Sequence, residues 1–297
     1  MMHNSLRSQV GDFISRVAGL RVAVIGETII DEFIEVVYEG HSMKSFCPVF
    51  RLDERNPKLV QQGGAAAIAG HLRDFVKHVE LISNTNNEIV KTRYIDAFDK
   101  KKHVEINRFD NKNFPALTID TKDYDVVIVA DFGHGFCSKL TINDGFHLMC
   151  QTNSNNFGFN RVSKWKKLRK KSVTLDLREA SLQMNRSIAG GADPDILELY
   201  GYELNTDHMF VTLGSNGSLF TDGKKIVRQP SYKSRIVDTI GAGDTYYSFC
   251  CLLSHLGGTI QDIAVPSLAA SLSTTWLCNE RSVTRESLLS YADQLVH

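Results

Sequence analysis

The 297-residue chain lacks a C-x-x-C pair: its six cysteines (Cys47, Cys137, Cys150, Cys250, Cys251 and Cys278) are scattered, and with the ten histidines they form no recognised zinc spacing. Reduced thiols and a cytoplasmic setting are the expectation. Net charge is also missing, since Lys+Arg and Asp+Glu total 34 each, and the basic residues run together only at Lys100 to Lys102 and Lys164 to Lys171. A general polyanion binder is more basic than that, so no nucleic-acid partner is expected. Apolar runs such as Val126 to Ala130 fall far short of the roughly 20 residues that span a membrane. Nothing near the N-terminus reads as a signal peptide, and no membrane association is expected. Two nucleotide-binding fingerprints are absent as well. No G-x-G-x-x-G follows the first strand-like segment, and Gly133 to Lys139 (GHGFCSK) lacks the second glycine and the Gly-Lys-Ser/Thr ending of a P-loop.

What is present is enough apolar content, 42%, for a sizeable core. Helical spacing over Asn4 to Val17 leads into a short apolar strand, Arg21 to Gly26. Asp125 to Ala130 (DVVIVA) reads as a buried parallel strand, and the strand-then-helix theme repeats through Phe146 to Thr152, Ser172 to Leu177 and Met209 to Leu213. Helices are expected at Gly63 to Val76, Ala242 to Leu256, Ile260 to Leu277 and Thr284 to Val296. Strands alternating with helices imply an α/β, doubly wound, mostly parallel sheet flanked by helices. Residues Phe33 to Leu52 have no helix period, and Tyr94 to Phe98 and Val104 to Phe109 flank a turn. They read as a small β-sheet lid inserted near residues 33–62 and 91–110 of a single domain spanning 21–297, with residues 1–20 an N-terminal helix or linker remnant.

The sharpest local feature is Asp238-Thr239-Ile240-Gly241-Ala242-Gly243-Asp244-Thr245 ahead of an apolar helix. Two glycines permit a tight turn that presents backbone N–H groups, and the helix N-terminus adds partial positive charge, which together suit a phosphoryl anion. An aspartate there is placed to take a proton from a hydroxyl. A plain tight loop with Asp244 as a helix cap explains the same residues.

The wider sequence weighs on that choice. D-T-x-G-A-G-D resembles the signature of the ribokinase-like (PfkB) carbohydrate kinases, and Val211 to Ser218, with T-L-G-x-x-G, resembles their nucleotide-side strand end. Gly26-Glu27 through Asp31 resembles their G-D-x-x-x-D opening, Gly63-Gly64 their Gly-Gly helix start, and Asp176 to Glu179 their N-x-x-E. The resemblance covers about Arg21 to Thr284. It implies a ribokinase-like fold using ATP and Mg2+, with Asp244 as base and Gly241, Ala242 and Gly243 as anion hole. Thr212, Gly214, Gly217, Asp238 and Thr239 would lie at the nucleotide, and Asp176 and Glu179 at the magnesium. Glu27, Asp31, Gly63 and Gly64 would contact the acceptor, and adenine would sit between Ile236 and the helix at Ile260 to Leu277.

Lys91-Thr92-Arg93, Asn107-Arg108 and Asp125 to Gly135 look most like the heptose-7-phosphate kinase branch, with Lys91, Arg93 and Arg108 pairing with an acceptor phosphate. A solvated hairpin accounts for those charges equally well. Three departures bear on the pocket: Glu27 for the usual Asp, Ala67 for the usual Asn, and Gln151 to Asn155 in place of D-P-K. An alanine cannot hydrogen-bond a sugar, so a noncatalytic regulatory domain or a nucleoside kinase of the same fold stays open beside the sugar-phosphate kinase. A homodimer through the lid and a fused or partner nucleotidyltransferase are further implications of the resemblance.

Overall fold

The computed structural model describes residues 6–84, 88–109, 114–188, 190–191, 193–202, 204–232, 235–258 and 263–295. Parts of three expectations, the first residues of the N-terminal helix, the first residues of the helix begun at Ile260, and Val296, lie outside them. In chain order, α1 (Leu6–Val17) precedes β1 (Arg21–Gly26), β2 (Thr28–His41), β3 (Pro48–Leu52), β4 (Leu59–Gly64), α2 (Ala65–Leu72), β5 (His78–Ile82), β6 (Ile89–Asp96) and β7 (Lys102–Phe109). There follow β8 (Leu117–Ile119), β9 (Val126–Asp131), β10 (Leu140–Ile142), β11 (Phe146–Cys150) and β12 (Lys170–Asp176). The chain continues through α3 (Leu177–Met184), α4 (Asp193–Gly201), β13 (Thr206–Thr212), β14 (Ser218–Thr221), β15 (Ile226–Gln229), α5 (Ala242–His255), α6 (Ala264–Ser273) and α7 (Arg285–Gln294).

The main sheet has eight strands in the order β15-β14-β13-β12-β11-β9-β1-β5. Six run parallel, and β14 and β15 return as an antiparallel edge. Alternation explains why β1 and β9 are apolar on both parities through their centres. Val22 and Val24 of β1 and Val126 and Ile128 of β9 join a core shared with α1, α2, α5, α6 and α7, while Ala23, Ile25, Val127 and Val129 join the core on the opposite face beneath α3 and α4. Burying both faces leaves no polar positions, hence the run DVVIVA. Its first residue lies outside the strand, where Asp125 accepts the Arg21 amide at 2.7 Å.

A second sheet pairs β3-β2-β6-β7, with β4 also on β2. It lies against the loops at the carboxyl ends of the main strands, where a third, small apolar cluster joins Phe33 and Ile95 to Cys278 and Ile240. No α-helix follows β11. Residues 153–160 instead form turns held by asparagine side chains, with Asn153, Asn156 and Asn160 donating to the carbonyls of Phe132 and Asp131. Asparagine amides compete with the helix backbone for such bonds, which is why a helix does not form there.

Candidate active site

The turn before α5 is built by the protein's own side chains. Asp238 Oδ1 accepts from the amides of Thr239 (2.7 Å) and Ile240 (3.2 Å) and from Lys102 Nζ of β7 (2.8 Å). Asp238 therefore braces the turn and ties it to the lid, where a nucleotide contact was expected; Thr239 remains exposed. Gly241 caps α5 at φ 83, and a Cβ there would stand 2.5 Å from Asn279 Oδ1. Gly243 is exposed and a Cβ on it would meet no protein atom within 4 Å, so a side chain there does not collapse the turn. The Ala242 amide turns back to Thr239 O at 3.3 Å. The Gly243 and Asp244 amides, in the first turn of the helix, have no intrahelical acceptor. Gly241→Ala is expected to destabilise the fold by about 1–3 kcal/mol through backbone strain and the Asn279 contact. Gly243→Ala should leave the melting temperature unchanged and weaken only what binds at the turn, a split that thermal unfolding and nucleotide titration will read.

Asp244 is buried, and Oδ1 has no hydrogen-bond partner among the described residues. Burial, reinforced by the nearby Asp31 charge and opposed by Lys91, pushes its carboxyl up to about 7. A carboxylate that titrates near neutrality, at a helix N-terminus, with an orphaned oxygen, is suited to accept a proton from a ligand hydroxyl.

Strand register places the lid residues. Asp31 lies opposite Lys91 and Phe33 opposite Arg93 across β2 and β6, and Lys91 and Arg93 lie opposite Asn107 and Glu105 across β6 and β7. Gln61 and Gly63 of β4 pair with Asp31 and Ile29. Paired residues share a face, so Asp31, Gln61, Gly63, Lys91, Arg93, Glu105 and Asn107 all look the same way. That face is the one turned to the main sheet's loops: Asn107 Nδ2 donates to Ser154 Oγ (3.3 Å), and the charges of Asp244 and Lys91 act on each other. Lys91 has no ion-pair partner among the described residues, and burial lowers its pKa. Asn107 Oδ1 is likewise buried without a partner among the described residues; the Asn107-Arg108 pair carries part of the resemblance, but the resemblance assigns no role to Asn107 itself.

Comparison with known proteins bears on the chemistry. A family model described as pfkB family carbohydrate kinase matches residues 170–250, from β12 into α5, which include Asp176, Glu179, Thr212 and the whole 238–244 turn. A ribokinase of Lactococcus lactis subsp. lactis (strain IL1403) is 46% identical over 41 residues, a match spanning 14% of this chain and 14% of that protein. Among solved structures, a nucleoside kinase of Methanocaldococcus jannaschii, described as an archaeal member of the ribokinase family, superposes with TM-score 0.65 at 16% identity, covering 93% of this chain and 100% of that one. Ribokinase from Thermotoga maritima gives 0.65 at 15% over 92% and 99%. Arabidopsis thaliana ribokinase, crystallised with ribose and ATP, gives 0.62 at 13% over 92% and 99%. The fold is that of the ribokinase family. The family-model match covers β12 to α5, and these neighbours, at 13–16% identity, share the fold.

Within this ribokinase-like fold, several residues singled out by motif hold the structure together instead of facing a ligand. Glu27 is fully buried, its two carboxylate oxygens accepting from the amides of Phe132 (2.9 Å) and Phe136 (3.1 Å), so it anchors the loop after β9 and is no acceptor contact. Burial and the neighbouring Asp131 push it up to about 7. Asp131 and Cys137 lie beside it, but Asp131 is satisfied by Lys164 Nζ (2.5 Å) and Trp165 Nε1 (2.9 Å), so these three form a braced cluster and not a metal cage. Arg93 is buried between Asp31, which it binds through a short ion pair, and Glu105 at 2.9 Å, with Phe33 beneath it; both carboxylates already neutralise it. Arg108 pairs in register with Val90 and so lies on the opposite lid face from Lys91, exposed and near Glu32. Of the three bases expected at an acceptor phosphate, Lys91 is the one that lies on the inward lid face without an ion-pair partner among the described residues.

The close approaches that the glycines permit are also internal. A Cβ at Gly63 would strike Asp31 and Asn279, one at Gly64 (φ 61) the Glu27 carbonyl, and one at Gly217 (φ 90) the Gln229 carbonyl. Gly214 (φ 59) and Thr212 lie at the open end of β13, and Gly214 meets no neighbour. His134 is buried between Asn153, Asn155 and the Phe109 ring, a packed loop residue. Asp176 and Glu179 form a capping box at the start of α3, and Glu179 also accepts the Thr152 amide at 2.9 Å. Burial, with the charges of Asp176 and then Asp244 acting on it, pushes Glu179 up to about 8.

Proposed function

We propose that the chain is a Mg-ATP-dependent kinase that transfers a phosphoryl group to a hydroxyl of a sugar or sugar phosphate. The observation that carries this reading is Asp244: a buried carboxyl poised near pH 7, with an orphaned oxygen, at the helix N-terminus inside the stretch that matches the carbohydrate-kinase model. In this reading Asp244 takes the acceptor proton, and the Gly243 and Asp244 amides with the α5 dipole stabilise charge on the transferred group. Lys91, with no partner of its own, receives an anionic group of the acceptor, which favours a heptose-phosphate-like substrate over a neutral sugar. Asp31 on the same lid face supplies a hydroxyl acceptor.

A divalent ion fits this acidic cluster, where the charges of Asp176 and Asp244 act on buried Glu179 and a cation would relieve them. Both Glu179 oxygens are occupied by backbone amides, so exposed Asp176 is the residue to hold a hydrated ion. Such an ion would supply charge neutralisation for the nucleotide. Pairing of two lids is also proposed, because Val60, Val104 and Ile106 leave apolar surface on the outward lid face; an accompanying nucleotidyltransferase belongs to the same reading.

The test is ADP release from Mg-ATP over a panel of sugar phosphates, free sugars and nucleosides, with Asp244→Asn as control. Turnover on sugar phosphates that the variant loses is the expected result. Turnover on nucleosides instead would move the assignment toward the similar nucleoside kinase, and ATP binding with no turnover on any acceptor would make the chain a regulatory domain.

A further inference from the structure

Behind the turn, three segments distant in sequence meet at one buried imidazole. His71 of α2 is fully enclosed; its Nδ1 lies 3.0 Å from the Val283 amide and its Nε2 lies 3.0 Å from Thr245 Oγ1. A backbone amide can only donate, so Nδ1 is the acceptor, and in the neutral ring the proton then resides on Nε2. Nε2–H accordingly donates to Thr245 Oγ1. The threonine hydroxyl keeps its own proton for the Gly241 carbonyl, 3.0 Å away, which also accepts the Thr245 amide at 2.9 Å. The chain of donors has one direction, from Val283 through His71 and Thr245 to Gly241.

The receiving carbonyl belongs to the peptide that opens the phosphate turn. Gly241 sits at φ 83 with no side chain to hold it, and the peptide plane that follows it sets where the Gly243 and Asp244 amides point. Two converging hydrogen bonds on that carbonyl, from the Thr245 hydroxyl and amide, fix the plane. Resting on the kinase reading above, we infer that His71 is a positioning residue, acting through Thr245 on the Gly241 carbonyl to hold the phosphate-binding turn in its productive shape. His71 itself touches neither acceptor nor nucleotide in this arrangement, and it lies in no motif that drew attention to the turn.

The experiment compares His71→Phe and Thr245→Val, which delete the relay, with His71→Gln and Thr245→Ser, which keep a donor and a hydroxyl in place. Two quantities are read for each: steady-state kinetics with the best acceptor, and hydrogen exchange of the backbone amides of residues 241–245 against those of α6. Expected is a fall in kcat of about 10- to 100-fold for the deleting pair with KM changed less than about threefold, as a turn misplaced by a fraction of an ångström would produce. Exchange in the turn should quicken by about tenfold or more while α6 is unchanged, and the conservative pair should stay near the wild type. Deleting variants whose kcat and turn exchange match the wild type, or whose exchange quickens equally in α6, would overturn the inference and leave His71 a core residue. If His71→Phe does not fold, the Thr245→Val and Thr245→Ser pair decides alone. Should the wild type turn over no acceptor, the kinase reading fails, and the exchange comparison still decides whether the relay holds the turn.

Discussion

Asp244→Asn is expected to lower acceptor-dependent turnover by about 10²- to 10⁴-fold, the usual cost of losing a positioned base, and at the same time to raise the melting temperature at pH 8. The two effects have one cause. The folded carboxyl titrates at about 7, against roughly 3.9 in an unfolded chain, so between those values the folded state binds the extra proton. Stability from this group is therefore present at low pH and lost as pH rises through 7, at a cost on the order of 4 kcal/mol once the carboxylate is fully charged. Asparagine keeps the shape and removes that charge, gaining several degrees at pH 8. Glu27, raised to about 7, and Glu179, raised to about 8, have the same sign, so the wild type should melt higher as pH falls from 9 to 7. Below roughly 6.5 the trend flattens, because His71, His134 and His147 are buried neutral with pKa values pushed down to about 4, 4 and 3, and the unfolded chain then gains protons that the folded one refuses. Turnover should climb with pH through about 7. An asparagine variant that keeps full turnover, or melts lower at pH 8, would contradict the assignment of Asp244.

Arg93→Met is expected to destabilise the protein by about 3–5 kcal/mol, the largest loss of stability among the residues discussed, because it leaves Asp31 buried at 4% exposure with its counter-charge gone. Glu105 loses its partner too, but is more than a third exposed on its side chain and is solvated instead. Adding Asp31→Asn to Arg93→Met should recover much of the loss, since the stranded charge disappears with it. Lys91→Gln, two residues earlier on the same lid face, should behave in the opposite way. It removes a half-buried cation that has no partner, so the melting temperature holds or rises while KM for a phosphorylated acceptor increases by about tenfold or more. Thermal melts and acceptor titrations of these three variants separate strut from ligand contact. Should Arg93→Met melt like the wild type and raise only KM, Arg93 would be the phosphate contact after all.

The apolar runs of β1 and β9 announced a sheet covered on both faces, since nothing but double burial tolerates hydrophobic residues on both parities of a strand. The turn charges around residues 97–101 announced the β6–β7 hairpin, and Asp238 to Thr245 marked a glycine turn into an apolar helix, all by local backbone chemistry. The sequence by itself thus determined the layer architecture and the place of the glycine turn before α5. What a polar residue near that turn does was decided by tertiary structure alone. Glu27 finds its donors at Phe132 and Phe136, Asp238 finds Lys102, and Arg93 finds Asp31, partners from about sixty to more than a hundred residues away. Arg108 is on the far lid face because of the register between β6 and β7, which no local pattern encodes. Burial makes the difference physical: a charge withdrawn from water must be paired or neutral, so the fold, by pairing Glu27, Arg93 and Asp238 internally, leaves Asp244 and Lys91 near the turn with bonds still to make among the described residues.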